Sequence, residues 1–171
     1  MSRYREPKLG ERLFNKIDEI LNRYNDYSNF LKFPYEWGER AFRGWIVYEI
    51  FHEILSWPIK NIVFGEQFDV LLVDEHIMPR IYLETKKPGR GLAELDDFKA
   101  RARFYGTLRY AVITDGYIWA KYEPLGEKII TERLVIDIYN SQPALLNEFF
   151  ISLHACKFLK KVSCYGEQEY S

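Results

Sequence analysis

The chain has 171 residues, enough for one domain to bury a core without disulfide or metal staples. Apolar residues make up 47% and charged residues 29%, which excludes a disordered chain, and a net charge of −1 removes the global basic signature of many nucleic-acid binders while leaving room for a local patch. The start of the chain, Met1 to Lys8, is polar, and no apolar run approaches the ~20 residues of a membrane span, so a soluble, intracellular, cytoplasmic protein is expected, with no membrane partner.

The pattern along the chain begins with Leu9, Leu13, Ile17, Ile20, Leu21 and Tyr24, the recurrence of an amphipathic helix over about Lys8 to Tyr27. Pro34 marks a connection, and a second helix is expected from about Tyr35 to Ser56, ending before Pro58. Phe42, Ile46, Ile50 and Trp57 fall on one face of it, and Glu39, an acid, falls on the same stripe. Short β-prone runs follow at Ile62 to Phe64, Gln67 to Val73 and Arg80 to Lys86, with a polar Asp74-Glu75-His76 turn between the last two. Pro88-Gly89-Arg90-Gly91 leads into a helix from roughly Leu92 to Gly106. Asp115-Gly116 between Tyr110–Thr114 and Tyr117–Tyr122 is a strong hairpin signal. A strand from Ile129 to Ile138 and a helix from about Pro143 to Lys161 complete the chain.

The order α, α, β, β, β, α, β, β, β, α predicts an α/β domain with a mixed central β-sheet flanked by helices. A single domain over 1–171 is expected, with a helical extension (1–34), a core (35–140) and a C-terminal helix and tail (141–171). The aromatic share of 17% fits either an aromatic core or rings available for base stacking, and composition does not separate the two. Cys156 and Cys164 have no paired His and do not make a zinc site; a bridge between them is chemically open, but free thiols are the expectation.

Two charged positions interrupt apolar strands, where a charge is costly unless it is paired or metal-bound: Asp69, and the Glu84-Thr85-Lys86 triplet. Glu84 and Lys86 point to one face of their strand, and a hairpin with the preceding strand brings Asp69 beside Glu84. Two adjacent carboxylates suit a hard cation such as Mg²⁺, which keeps several of its waters. A neighbouring Lys then serves phosphodiester hydrolysis by stabilising the charge that develops. The bland alternative is a solvated cross-strand network, since a lone E-x-K triplet is common.

The ordered set Glu39, Phe68-Asp69 and Leu83-Glu84-Thr85-Lys86-Lys87-Pro88-Gly89 resembles the PD-(D/E)xK nuclease core. It is most similar to the N-terminal nuclease domain of type I restriction enzyme R subunits and its stand-alone relatives. Ile54 to Pro58 resembles that group's L-x-x-L-G-W helix end, and Ile113-Thr114-Asp115-Gly116 followed by Trp119 resembles its L-T-(D/N)-G-x-x-W hairpin. The resemblance implies a restriction-endonuclease-like core and a nuclease that hydrolyses DNA with Mg²⁺, for which Mn²⁺ substitutes; RNA is not excluded, and small nucleases of this kind often act as homodimers.

By the same resemblance Asp69, Glu84 and the backbone carbonyl of Thr85 ligate the metal, Glu39 reaches it through water, and Lys86 positions the attacking water. Glu49 and Glu53 are rivals to Glu39 in the same helix. Many relatives carry Gln-x-x-x-Tyr in the next helix; here Tyr105 fits, while Arg101 replaces the Gln and suits a phosphate contact. Lys87, Arg90, Lys99, Arg101, Arg103 and Tyr105 are the expected nucleic-acid contacts, unless the segment is an ordinary helix of mixed charge. A non-catalytic DNA-binding or assembly module on the same fold is the competing expectation.

Overall fold

The computed structural model describes residues 8–33, 36–67, 69–125 and 129–164; the polar start of the chain before Lys8, Pro34, Tyr35 and Phe68, used in the sequence analysis, lie outside them. Helix α1 (Leu9–Leu31) is followed by α2 (Trp37–Trp45), which continues as a π-helix over Ile46–His52. Strands β1 (Ile62–Phe64), β2 (Asp69–Val73) and β3 (Pro79–Thr85) come next, then α3 (Leu95–Phe104). The chain ends with β4 (Tyr110–Thr114), β5 (Ile118–Leu125), β6 (Ile129–Asp137) and α4 (Pro143–Ile151).

The strands form one six-stranded mixed sheet in chain order. Every neighbouring pair is antiparallel except β3 and β4, which are parallel and joined through α3. That single crossover follows from chemistry: parallel neighbours need a long connection, and the helical stretch after β3 supplies it. The fold is therefore the expected α/β arrangement of a mixed sheet with helices on both faces.

The alternation of β3 divides the interior. Ile81 and Leu83 join the larger core with α1, α2 and α4, while Tyr82 joins a smaller cluster with Phe98 and Ala102 of α3 and Ala111, Ile113 and Ala120. A strand buried on both faces explains the near-continuous apolar run from Ile81 to Leu83. Helix α1 contributes Leu13, Ile17, Ile20 and Leu21 to the larger core and packs against α4, so it is part of the main hydrophobic body.

Three expectations are corrected. The second helix ends at His52, short of Ser56: its last turns widen, with Leu55 N–H donating to Ile50 O (2.8 Å) and Trp57 N–H to Phe51 O (2.9 Å), and Ser56 adopts φ 64°. Trp57 is thereby turned out of the helical stripe, buried, with its indole N–H on Leu153 O (2.8 Å). The last helix stops at Ile151, well before Lys161, because Ala155 N–H leaves the helical path for Leu55 O (2.8 Å) and His154 Nδ1 accepts from Cys156 N–H (3.1 Å), starting a short 3₁₀ turn. Finally, the thiols are not free: that turn brings the chain back so that Cys156 and Cys164 lie 4.9 Å apart at Cα and are bridged.

Helix α4 ends on a buried cation. Lys121 of β5 donates to Phe149 O (2.9 Å) in its last turn and to Ser152 Oγ (2.6 Å), placing positive charge at the helix C-terminus. No carboxylate neutralises it at ion-pair distance among the described residues, and burial lowers its pKa from 10.5 to about 8. A lysine harder to protonate in the folded state than in the unfolded one costs stability below about pH 8, and the cost disappears as pH rises to 10.5. Urea denaturation across that window should therefore show wild type gaining on Lys121→Met by about 3 kcal/mol between the two limits.

Candidate functional site

The β2–β3 hairpin places Asp69 directly opposite Glu84. Its register depends on the intervening turn, where Asp74 Oδ1 accepts from His76 N–H (2.9 Å) and Met78 N–H (3.1 Å). Glu84 lies at the end of β3 on the α3 side of the sheet and is only 2% exposed. Its Oε1 accepts from Arg101 of α3 (2.7 Å) and from the Tyr82 hydroxyl (3.0 Å). Its Oε2 lies 3.2 Å from Lys86 Nζ but off the line of a hydrogen bond, so this buried oxygen keeps an unfilled acceptor position. Burial first, then the charges of Glu84 and Asp69, push the Tyr82 phenol far above its ordinary pKa, so Tyr82 remains a hydrogen-bond donor.

A cleft of about 520 Å³ opens in front of Glu84. The start of α2 (Glu36, Gly38, Glu39), the end of β3 with the segment after it (Lys86, Lys87, Arg90, Ala93, Glu94) and Arg101 form its walls; Tyr24, Phe33 and Gln67 complete the lining. Acidic and basic groups are interleaved: Lys86 Nζ bridges Glu84 and Glu94 (3.1 Å to Glu94), and Arg90 approaches Glu39 at 3.8 Å. The Lys86 bridge holds the exposed Glu94 carboxyl below its ordinary range.

The wall from Lys87 to Glu94 is anchored from behind. Asp115, 2% exposed, accepts Gly91 N–H on Oδ2 (2.8 Å) and the Tyr117 and Ile118 N–H groups on Oδ1 (3.0 and 2.8 Å). The β4–β5 turn and the cleft wall thus share one carboxylate. Gly116 at φ 88° completes that turn, and a Cβ there would stand 2.7 Å from Leu21 Cδ2. The Asp-Gly pair was legible as a hairpin; its second role toward Gly91 carried no local signal.

The sequence-derived residues are distributed unequally. Glu39, Glu84, Lys86, Lys87, Arg90 and Arg101 all line the cleft. Asp69 is paired with Glu84, but its carboxylate rests over Gly65: a Cβ at Gly65 would stand 2.6 Å from Asp69 Cγ. Thr85 is buried and paired with Thr114 of β4. Lys99 lies over the Tyr122 ring (5.2 Å), and Tyr105 stacks on Tyr82 (6.0 Å), so both serve the smaller core's surface and do not line the cleft. Arg103 is exposed on α3 and is likewise not part of the lining. Of the rival acids, Glu49 is committed elsewhere, accepting from Arg23 Nη2 (2.8 Å). Among the described residues no group of three or more His, Cys, Asp or Glu side chains is disposed to hold a metal ion.

Arg101 is the main departure from expectation. It is half-exposed, yet its guanidinium turns inward to Glu84. Sequence spacing put a cation in this helix but could not show that it faces the buried acid. Gly65 is the other missed residue; it follows a strand, and nothing local reveals that a carboxylate four residues later lies on it. No protein family matches the chain, and neither a curated protein nor a solved structure matches it significantly.

Gly65→Ala should destabilise the protein by about 1–3 kcal/mol, because the added methyl meets the Asp69 carboxylate. Gly44→Ala, in α2 with nothing within 4 Å of the added Cβ, should be neutral or stabilising by up to about 1 kcal/mol. Equilibrium urea denaturation of the two variants checks the contrast.

Proposed function

We propose that the protein is a metal-dependent nuclease that hydrolyses phosphodiester bonds of DNA at this cleft. The observation that carries the reading is Glu84: a buried carboxylate facing a cleft with one oxygen left without a hydrogen-bond donor, paired across the sheet with a second acid, Asp69, and flanked by Lys86. A buried acceptor that meets only an ammonium charge and no hydrogen-bond donor in line suits a hard cation. Glu84 and Asp69, with the Thr85 carbonyl and Glu39 at the outer edge, are the groups that would hold Mg²⁺ or Mn²⁺. When bound, the cation supplies Lewis-acid stabilisation of the phosphoryl oxygens.

The remaining work falls to the protein's own groups. Lys86, already bridging two carboxylates, orients the attacking water and stabilises the negative charge that develops on the phosphate. Lys87 and Arg90 on the anchored wall hold neighbouring phosphates, which fixes the position of the backbone without reading its sequence. Glu39 keeps Arg90 within the cleft rim. Asp115 keeps the wall in place through Gly91.

A second reading, a DNA-binding or assembly module without catalysis, is favoured by one specific contact. Arg101 occupies Glu84 Oε1 at 2.7 Å, so a cation and this guanidinium compete for the same carboxylate. Arg101→Gln should therefore tighten Mn²⁺ binding about tenfold, the scale of about 1.4 kcal/mol for one lost like-charge neighbour. Titration followed by electron paramagnetic resonance checks it; unchanged affinity would mean that Glu84 does not bind the ion.

Catalysis is tested with circular single- and double-stranded DNA in Mg²⁺, Mn²⁺ or EDTA. Wild type should cut in either metal and not in EDTA, while Asp69→Ala and Lys86→Ala should each lose at least about a hundredfold in rate. A folded wild type that binds DNA but leaves both circles intact would transfer the assignment to the non-catalytic module.

A further inference from the structure

The aromatic content is not all core. Tyr24 and Phe33, which line the cleft, are stacked on each other at 6.0 Å between ring centroids. From Phe33 the rings continue outward to Tyr27 (6.3 Å) and from Tyr27 to Trp45 (5.6 Å). Three residues further along the same helix stands Tyr48, which meets Phe64 of β1 at 5.9 Å. Tyr27 is 43% exposed, Tyr48 45% and Phe64 39%, although aromatic side chains of this size are ordinarily buried more deeply.

Two guanidiniums lie against these rings. Arg23 sits 5.0 Å from the Trp45 ring centre and Arg43 5.4 Å from that of Phe64. Arg43 also donates to the backbone carbonyl of Gln67, a cleft residue, so the ring path is tied to the cleft at its far end as well as at its start. Burial lowers the pKa of the Arg43 guanidinium, with Asp69 opposing the shift. Arg23 is neutralised by Glu49, whereas Arg43 makes no ion pair with a carboxylate among the described residues.

We infer that this aromatic path is a binding track for single-stranded nucleic acid, seating unpaired bases beside the strand whose backbone enters the cleft. The choice of ligand rests on the nucleic-acid reading of the cleft. Exposed rings interleaved with arginines give every base a π-face to stack on, which is the sequence-tolerant way to hold a single strand. A duplex hides those faces in its own stack and could use only the phosphate-directed charges, of which this face has few in excess. The track also continues directly from the cleft, so a strand leaving the Lys86–Arg90 wall meets Phe33 and Tyr27 next.

The test is fluorescence anisotropy with a labelled oligo(dT) and with a blunt duplex of the same length, in EDTA so that no cutting intervenes. Wild type should prefer the single strand, with quenching of tryptophan emission on binding. Tyr27→Ala and Tyr48→Ala should each weaken oligo(dT) binding about tenfold, and Tyr27→Phe and Tyr48→Phe should restore it. Thermal melts confirm that each variant folds. Equal affinity for duplex and single strand, no binding by wild type, or alanine variants that bind as wild type would overturn the track. So would a concentration-dependent dimer, seen by sedimentation, that Tyr27→Ala or Tyr48→Ala dissolves, since the face would then be a protein interface. The two readings separate cleanly: ring-dependent binding without metal-dependent cutting keeps the track and removes the nuclease, and cutting by wild type with ring variants that bind normally does the reverse.

Discussion

Glu84 has lost nearly all contact with solvent, and desolvating a carboxylate costs several kcal/mol unless its surroundings restore what water supplied. Arg101, Tyr82 and Lys86 restore most of it, and each has structural consequences. Arg101 reaches Glu84 only if α3 crosses the sheet at that height, which Phe98 and Ala102 secure by packing with Tyr82 and Ile113. Lys86 reaches it only because the chain leaves β3 in the same direction, still bonded through its N–H to Thr114 O (2.8 Å). The cleft is the space left in front of an acid that had to be surrounded on three sides. One carboxylate oxygen, Oε2, is left with the Lys86 ion pair and no hydrogen bond, on a residue that lines the cleft.

The division of the interior matters for the same reason. The larger core, on the side of α1, α2 and α4, contains the fully buried Trp57, Trp119, Phe149 and Phe150 and carries most of the apolar burial. The smaller cluster under α3 has fewer members and two tyrosines, Tyr82 and Tyr122, among them. The Glu84–Arg101 pair lies on this lighter side at the end of the sheet, so it does not interrupt the heavier core. Lys121 carries a charge to the other side, where it is set against a helix terminus.

Much of this was legible from residue order. The ten-element succession, the mixed sheet and the Asp115-Gly116 hairpin rest on periodicity and turn chemistry, which are local; which pair of strands is parallel was not legible. The opposition of Asp69 and Glu84 was legible as well, because a polar turn of fixed length between two strands determines who faces whom. What was hidden depends on distance in sequence. Arg101 facing Glu84, Gly65 beneath Asp69 and Asp115 holding Gly91 are contacts whose partners share no periodic signal. The π-helical end of α2 and the early stop of α4 were missed for a related reason: hydrophobic spacing reports a stripe, and tertiary hydrogen bonds from the Trp57 indole to Leu153 O and from Ala155 N–H to Leu55 O decide where the helix gives way. The bridged cysteines depend on a 3₁₀ turn that no spacing rule announces.

The Asp74–Met78 turn ties the candidate site to the stability of the whole domain. Side chains of β2 alternate between the two faces, with Val70 and Leu72 in the larger core and Asp69 and Leu71 on the other side. A single inserted or deleted residue in the turn would slide β2 by one position, driving the Asp69 carboxylate among the core aliphatics while exposing two of them. A length change there would cost the fold and the site together. Substitution can alter the two paired acids without this penalty, whereas their spacing is held by the hydrophobic interior behind them.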